Sequence, residues 1–213
     1  MRFSASAGYR REVWNALVDG FFQAMIPEDS ALLDLGCGWG EFIHPVRAVR
    51  KYAMDLNPDA PRHLATGITF LHQDCSERWE LEDSSLDRVF TSNFLEHLPT
   101  KDHVKATLSE ARRCLKPGGR IICLGPNVRY LTGRYWDYWD HHLPITDLAL
   151  QEILQLTGFE VIRRVPRFLP YTISRGFTPP VAFLRLYLRL PILWPLLGRQ
   201  FLLVGEKPCG TPE

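Results

Sequence analysis

Three groups of residues in this chain have types and spacings that could do chemistry. The first is Asp34-Leu35-Gly36-Cys37-Gly38-Trp39-Gly40, an acid followed by three glycines at alternate positions. Glycine lacks a Cβ, so a ligand can lie against the backbone there, and positive φ is allowed. The apolar run Ala31–Leu35 before it reads as a buried strand, and the glycines come where that strand is expected to turn into a helix. A glycine turn at the carboxyl end of a strand is where open α/β sheets bind ligands. A dinucleotide fingerprint would need G-x-G-x-x-G. Here the third glycine arrives one residue early, at Gly40, and Glu41 holds the place the fingerprint reserves for glycine, which argues against a nicotinamide dehydrogenase.

The second group is a set of acids at strand ends. Asp55 lies 21 residues after Asp34. A carboxylate at that point can accept hydrogen bonds from both hydroxyls of a ribose, although a turn-forming Asp ahead of Asn57-Pro58 would read the same way. Asp74 follows the third apolar run, where it could equally cap a helix over Ser76–Trp79. The third group is histidine-rich. Glu96-His97 ends the segment Leu86–Leu98, and Asp140-His141-His142 closes an aromatic stretch, Tyr130–Trp139. Histidine titrates near neutrality, so His97, His141 and His142, with Glu96, are the candidates for a general base. Asp140 stands beside them. The aromatic stretch could instead be a structural lid.

The elements that must hold these groups alternate. Residues 9–26 carry apolar side chains at helical spacing and end before Pro27. Strands are predicted at Ala31–Leu35, Tyr52–Asp55, Ile68–His72, Leu86–Ser92, Arg120–Gly125, Phe159–Pro166 and Gln200–Glu206. The strongest helix is Lys101–Leu115, stopped by Lys116-Pro117-Gly118-Gly119. Another runs over Thr146–Gly158, with Thr146 as its N-cap and Gly158 as its stop. Such alternation implies a mostly parallel, doubly wound sheet.

The pattern D-x-G-x-G-x-G at 34–40 resembles the first motif of class I S-adenosylmethionine-dependent methyltransferases. Leu86–Pro99, with its Glu-His-Leu ending, resembles the fourth motif, and Arg113–Arg120 the family's helix-to-strand turn. The resemblance covers residues 30–125 closely. It implies a Rossmann-like α/β fold with a seven-stranded sheet of order 3-2-1-4-5-7-6, a reversed final hairpin, helices on both faces and a C-terminal helical elaboration. It implies S-adenosylmethionine as cofactor. Asp34 would face its ammonium, Gly36, Cys37, Gly38 and Gly40 would cradle its methionine portion, and Asp55 with Leu56 would meet the ribose. Asp74 would accept from the adenine amino group while the Cys75 backbone meets the ring. Ser92 and Asn93 would lie near the methyl group, and Trp39 or Tyr9 could offer a π face to the cation. Some members carry E-x-x-E-H and bind a metal. In this chain Asn93 replaces the first Glu, so no metal is expected.

Bulk properties narrow the partners. A net charge of +1 over 213 residues makes no electrostatic case for nucleic acid. The five cysteines form no C-x-x-C pair, which fits a reducing compartment. No apolar run precedes Arg10-Arg11, so no signal peptide is expected, and a cytoplasmic location is. The chain reads as one domain: an N-terminal helix over 1–29, a cofactor-binding core over 30–166, an apolar cap or lid over 167–198 and a final strand over 199–207. The apolar segment is broken by Arg185, Arg189 and prolines, so it does not read as a membrane span. Its alternatives are a helical cap on the sheet and an interfacial contact at the inner face of a membrane. The aromatic loop and apolar tail are similar to those of bacterial methyltransferases of surface glycan or glycolipid assembly. That resemblance implies a sugar or lipid-linked glycan hydroxyl as acceptor, with a small metabolite as the alternative. A non-catalytic cofactor-binding protein is a further alternative.

Overall fold

The computed structural model describes residues 7–171 and 179–210. In chain order its elements are α1 (Ala7–Gly20), β1 (Ala31–Leu35), β2 (Arg50–Met54), β3 (Ile68–Leu71), β4 (Leu86–Ser92), α2 (Lys101–Cys114), β5 (Leu115–Pro126), α3 (Val128–Leu131), α4 (Asp147–Leu156), β6 (Glu160–Leu169), α5 (Val181–Leu188), α6 (Trp194–Leu197) and β7 (Gln200–Glu206). The strands form one seven-stranded sheet in the order β3-β2-β1-β4-β5-β7-β6. The first five are parallel, and β7 runs antiparallel to both β5 and β6.

Side-chain alternation along the strands builds two cores. Leu33 and Leu35, Val89, Ile121 and Cys123 pack on one face, under Leu108 and Ala111 of α2 and Leu150 and Leu154 of α4. Leu32, Phe90, Ile122 and Leu124 pack on the other, under Leu17 and Val18 of α1, Tyr187 and Leu188 of α5 and Trp194 of α6. Both faces of the central strands are therefore apolar, as a doubly covered parallel sheet requires. Threonine caps start two of the covering helices. The hydroxyl of Thr100 accepts from the His103 amide, and that of Thr146 from the Ala149 amide over 3.0 Å.

Several local expectations are corrected. No α-helix follows the glycine run: residues 41–45 form turns, with one helical-type bond from His44 N–H to the Gly40 carbonyl. Phe42, Ile43 and Val46 are all buried, so the connection packs as a knot of side chains instead of presenting one helical stripe, and Pro45 has no N–H to continue a ladder. The Phe42 ring stacks on that of Phe90, with centroids 3.5 Å apart. Nor is there a helix at Ser76–Trp79, where the chain only turns. The N-terminal helix stops at Gly20 and gives way to a 3₁₀ turn over Phe22–Met25. Finally, Lys116–Gly119 belong to β5: Gly118 N–H donates to the Lys207 carbonyl and Lys207 N–H to that of Gly119, so the helix stop continues as extended chain. Strand β6 runs on to Leu169.

Candidate active site

The glycine loop leaves β1 and folds back on β2. Gly36 N–H and Cys37 N–H both donate to the Met54 carbonyl, at 2.9 and 3.1 Å. Gly36 and Gly38 have φ of +72° and +52°, a region an L side chain enters at a cost. The two glycines differ in surroundings. A Cβ on Gly38 would meet nothing within 4 Å, whereas one on Gly36 would sit 2.3 Å from the Phe94 ring. Gly38 is thus the open floor of the cradle, and Gly36 lets Phe94 settle over the loop. The amide of Gly38 donates to Asp55 Oδ2 at 2.8 Å, while Asp55 Oδ1 accepts from Asn57 N–H at 2.9 Å.

Asp34 is buried, and its Oδ2 has no hydrogen-bond partner among the described residues. Burial pushes its carboxyl well above the usual carboxylate range, and the nearby Glu41 and Asp55 carboxylates add to the shift. A desolvated acid with an orphan oxygen, beside an open glycine and a second acid, fits a ligand that brings a cationic or N–H donor group. S-adenosylmethionine brings both an ammonium and ribose hydroxyls, so the residues fit it.

The other expected cofactor residues divide. Leu56 is exposed beside Asp55. Asp74 Oδ1 accepts from the amide and the hydroxyl of Ser76, which holds its carboxyl below the usual range. It caps a turn at the end of β3. Cys75 is buried against Thr107, and burial lifts its thiol to about 11; Cys37 is likewise raised by burial. Asn93, at φ +49°, donates its side-chain amide to Ser92 Oγ and its backbone N–H to the Leu124 carbonyl. The two aromatic candidates for the cation are engaged elsewhere. Trp39 stacks on His63 and carries the Arg10 guanidinium 5.2 Å from its ring centroid, and the Tyr9 hydroxyl donates to the Pro179 carbonyl.

Past β4, a 3₁₀ turn over Leu95–His97 buries Glu96. Desolvation raises its carboxyl to about 8, so it is protonated at neutral pH. His97 Nδ1 lies 2.9 Å from the Asp140 carbonyl and 3.4 Å from Asp140 Oδ2. His141 is buried, its ring edge-on to that of His97 and stacked on Tyr138, and its Nδ1 has no partner among the described residues. Burial, then the His97 charge, lowers its pKa. One donor atom from each of Glu96, His97 and His141 lies within 4.8 Å of the others. His142 does not join them: it is exposed and contributes its backbone, which donates to the Glu96 carbonyl. Two tyrosines not singled out from the sequence line this corner. Tyr135 is fully buried and bonds the Leu143 carbonyl, and Tyr171 packs against Tyr138. Their signal was only the aromatic density of the loop, which does not say which rings turn inward.

The two halves of the site lie on adjacent strands. β1 pairs with β4 in register Leu35↔Thr91, so the glycine loop and the Ser92–His97 turn emerge side by side. A family model described as "Methyltransferase domain" matches residues 6–164. The chain belongs to the methyltransferase domain family. The cofactor of this methyltransferase domain is S-adenosylmethionine. Malonyl-[acyl-carrier protein] O-methyltransferase of Hahella chejuensis is 31% identical over 129 residues, covering 55% of this chain and 43% of that protein. Ubiquinone/menaquinone biosynthesis C-methyltransferase of Acidiphilium cryptum is 48% identical over 58 residues, 27% of this chain and 22% of that protein. The chain spans about half or less of the length of these curated relatives. Among solved structures, an S-adenosylmethionine-dependent methyltransferase from Archaeoglobus fulgidus superposes with a TM-score of 0.71 at 21% identity, covering 96% of each chain. Neither curated relative bears a glycan acceptor in its name, and the glycan expectation is left with the aromatic loop alone. No helix of the described residues is long and apolar enough to cross a membrane.

Proposed function

We propose that this methyltransferase domain moves the methyl group of S-adenosylmethionine to an oxygen of a small polar acceptor, with the Glu96–His97–His141 corner handling the acceptor's proton. The observation that carries the reading is the side-by-side emergence of two half-sites. One is the Asp34–Gly38–Asp55 cradle after β1 and β2, and the other is the buried acid–imidazole cluster after β4. The cofactor supplies an activated methyl on a sulfonium: the acceptor oxygen forms the new C–O bond as the S–CH₃ bond breaks, and a neutral thioether leaves. The chain's own part is alignment, exclusion of water and removal of the acceptor's proton. His141, kept neutral by burial, is suited to take that proton, and His97 is held in place by Asp140. Glu96, neutral at pH 7, is suited to donate a hydrogen bond to the acceptor oxygen.

A small acceptor is supported by the curated relatives, one named as an O-methyltransferase of malonyl-[acyl-carrier protein] and one as a C-methyltransferase of ubiquinone/menaquinone biosynthesis; the first of the two supports oxygen as the acceptor atom. A sugar or lipid-linked glycan hydroxyl is supported by the aromatic loop, in which Trp139 is 99% exposed. A methyl-transfer assay over small carboxylic acids, phenols, acyl thioesters and free sugars tests the reading. Methylation of an acid or phenol is the expected result. Turnover with sugars alone moves the acceptor to the glycan class, and tight cofactor binding with no turnover on any acceptor leaves a binding protein.

A second reading has Glu96, His97 and His141 hold a divalent cation, and their close-set donor atoms favour it. One carboxylate and two imidazoles suit zinc, iron or manganese. Such an ion would supply a Lewis acid that lowers the pKa of the acceptor hydroxyl. Loss of activity with chelator, restored by one of these ions, separates this reading from the metal-free one.

A further inference from the structure

The elaboration between β6 and β7 has two faces. One is built into the core: Tyr187, Leu188 and Trp194 are buried, the Tyr187 hydroxyl donates to the Phe168 carbonyl at 2.6 Å, and Trp194 Nε1 donates to the Tyr187 carbonyl at 3.1 Å. The other face is bare. Phe183, Leu186 and Leu190 follow one another at helical spacing on one side of α5 and its C-cap, and all are exposed. Ile192, Leu196 and Leu197 continue the apolar surface through α6, with Ile192 79% exposed. Apolar side chains concentrated in this way on one short segment mark a contact surface.

The charge of the same stretch has one sign. From residue 161 to 205 there is no Asp or Glu, and there are seven arginines. Arg163, Arg164 and Arg167 are occupied by the fold: Arg163 lies over the Phe21 ring, Arg164 pairs with Asp147, and Arg167 donates to the Gly198 and Leu196 carbonyls. Arg185 and Arg189 are exposed on α5 and its C-cap, and no carboxylate of the described residues is paired with either. Glu12 of α1 lines the same groove as Arg185 without pairing with it. Bare apolar side chains flanked by unpaired guanidinium groups complement an anionic lipid surface, where the stems bury and the charges meet headgroups.

The placement of this face ties it to the site. β6 ends at Leu169 and β5 at Pro126, both against Gln200 at the start of β7, so the elaboration leaves the sheet at the edge that carries the glycine loop. Tyr171, just beyond, packs on Tyr138, which stacks on His141.

We propose that the exposed face of α5–α6, with Phe183, Leu186, Ile192, Leu196, Arg185 and Arg189, docks on an anionic phospholipid membrane. The test is co-sedimentation of the full chain with phosphatidylcholine vesicles, with and without phosphatidylglycerol, at low and high salt. The expected result is binding that needs phosphatidylglycerol and falls with salt. Arg185→Gln and Arg189→Gln should each weaken it roughly fivefold, and Ile192→Glu or Phe183→Glu roughly tenfold. Cofactor affinity and circular dichroism serve as controls for folding, and both should stay unchanged. Equal soluble fractions with and without anionic vesicles overturn the proposal, as does binding that none of these substitutions weakens. Sedimentation velocity in the absence of lipid covers the other occupant. A dimer that Ile192→Glu dissociates assigns the face to a second copy of the chain and also overturns the proposal.

Discussion

The amide of Gly38 donates to Asp55 Oδ2 across 2.8 Å, so the acid expected to hold the ribose also holds the floor of the cradle. Asp55→Ala removes both roles. Cofactor affinity measured by calorimetry should fall by about 1.5–3 kcal/mol, the size of a lost hydrogen bond to a charged group. Asp55→Asn keeps one acceptor oxygen and should lose less. Equal affinities for the wild type and Asp55→Ala would remove Asp55 from the site.

The two central glycines should separate folding from binding. In Gly36→Ala the new methyl meets the Phe94 ring at 2.3 Å, so Phe94 must move and the cofactor-free protein should melt lower. In Gly38→Ala the methyl has room, and the cofactor-free protein should lose only the left-handed strain of about 1–2 kcal/mol. Its methyl occupies the open floor, so the cofactor's stabilising shift should shrink most in this variant. Thermal melts of both variants with and without S-adenosylmethionine give the comparison.

Glu96 gives a stability slope with a defined sign. Its carboxyl holds its proton up to about 8 when folded, against an ordinary value of 4.5. Between those pH values the native state binds more protons than the unfolded one, so stability falls as pH rises from about 4.5 to 8 and levels off above. The slope is at most about 1.4 kcal/mol per pH unit. Glu96→Gln should flatten this part of the profile in urea titrations run across the range. Asp34, raised by burial, contributes in the same direction.

Asp147 and Arg164 form an unequal pair. Arg164 reaches Asp147 Oδ2 at 2.5 Å, and Asn127 donates to Oδ1 at 2.8 Å, joining the start of α4 to β6 and the end of β5. Asp147 is fully buried while Arg164 is about one-third exposed. Removing Arg164 leaves the buried carboxylate with Asn127 and with Arg129, 4.0 Å from Oδ1, as its remaining partners, and Arg164→Leu should cost about 3 kcal/mol. Removing the acid leaves a guanidinium that can turn to water, so Asp147→Asn should cost about half as much, on the order of 1.5 kcal/mol. Denaturant unfolding of the two variants orders them.

Strand positions were legible because buried parallel strands are short apolar runs, as in Ala31–Leu35 and Leu86–Ser92, and every predicted strand is present within a few residues. What failed was connection chemistry. The glycine run suggests a following helix, yet Phe42, Ile43 and Val46 fall inward one after another, and only the tertiary fold shows that. Lys116–Gly119 read as a stop signal, and their extended course depends on pairing with Lys207, about ninety residues away in the chain. The placing of Asp34, Gly36, Gly38 and Asp55 together was legible because these residues are fixed by strand ends. The convergence of His141 on Glu96, with His142 turned outward, was not: neighbouring loop residues carry no periodicity that says which one points in.

The missing helix after β1 has an electrostatic consequence. A helix start there would bring a positive dipole end, which favours phosphate and other anions. This loop brings no such field, and the Gly38 amide on its open floor is already taken by Asp55 Oδ2. A pyrophosphate placed on Gly38 would lack the helix end that holds it in a dinucleotide site and would face Asp55 across the same amide.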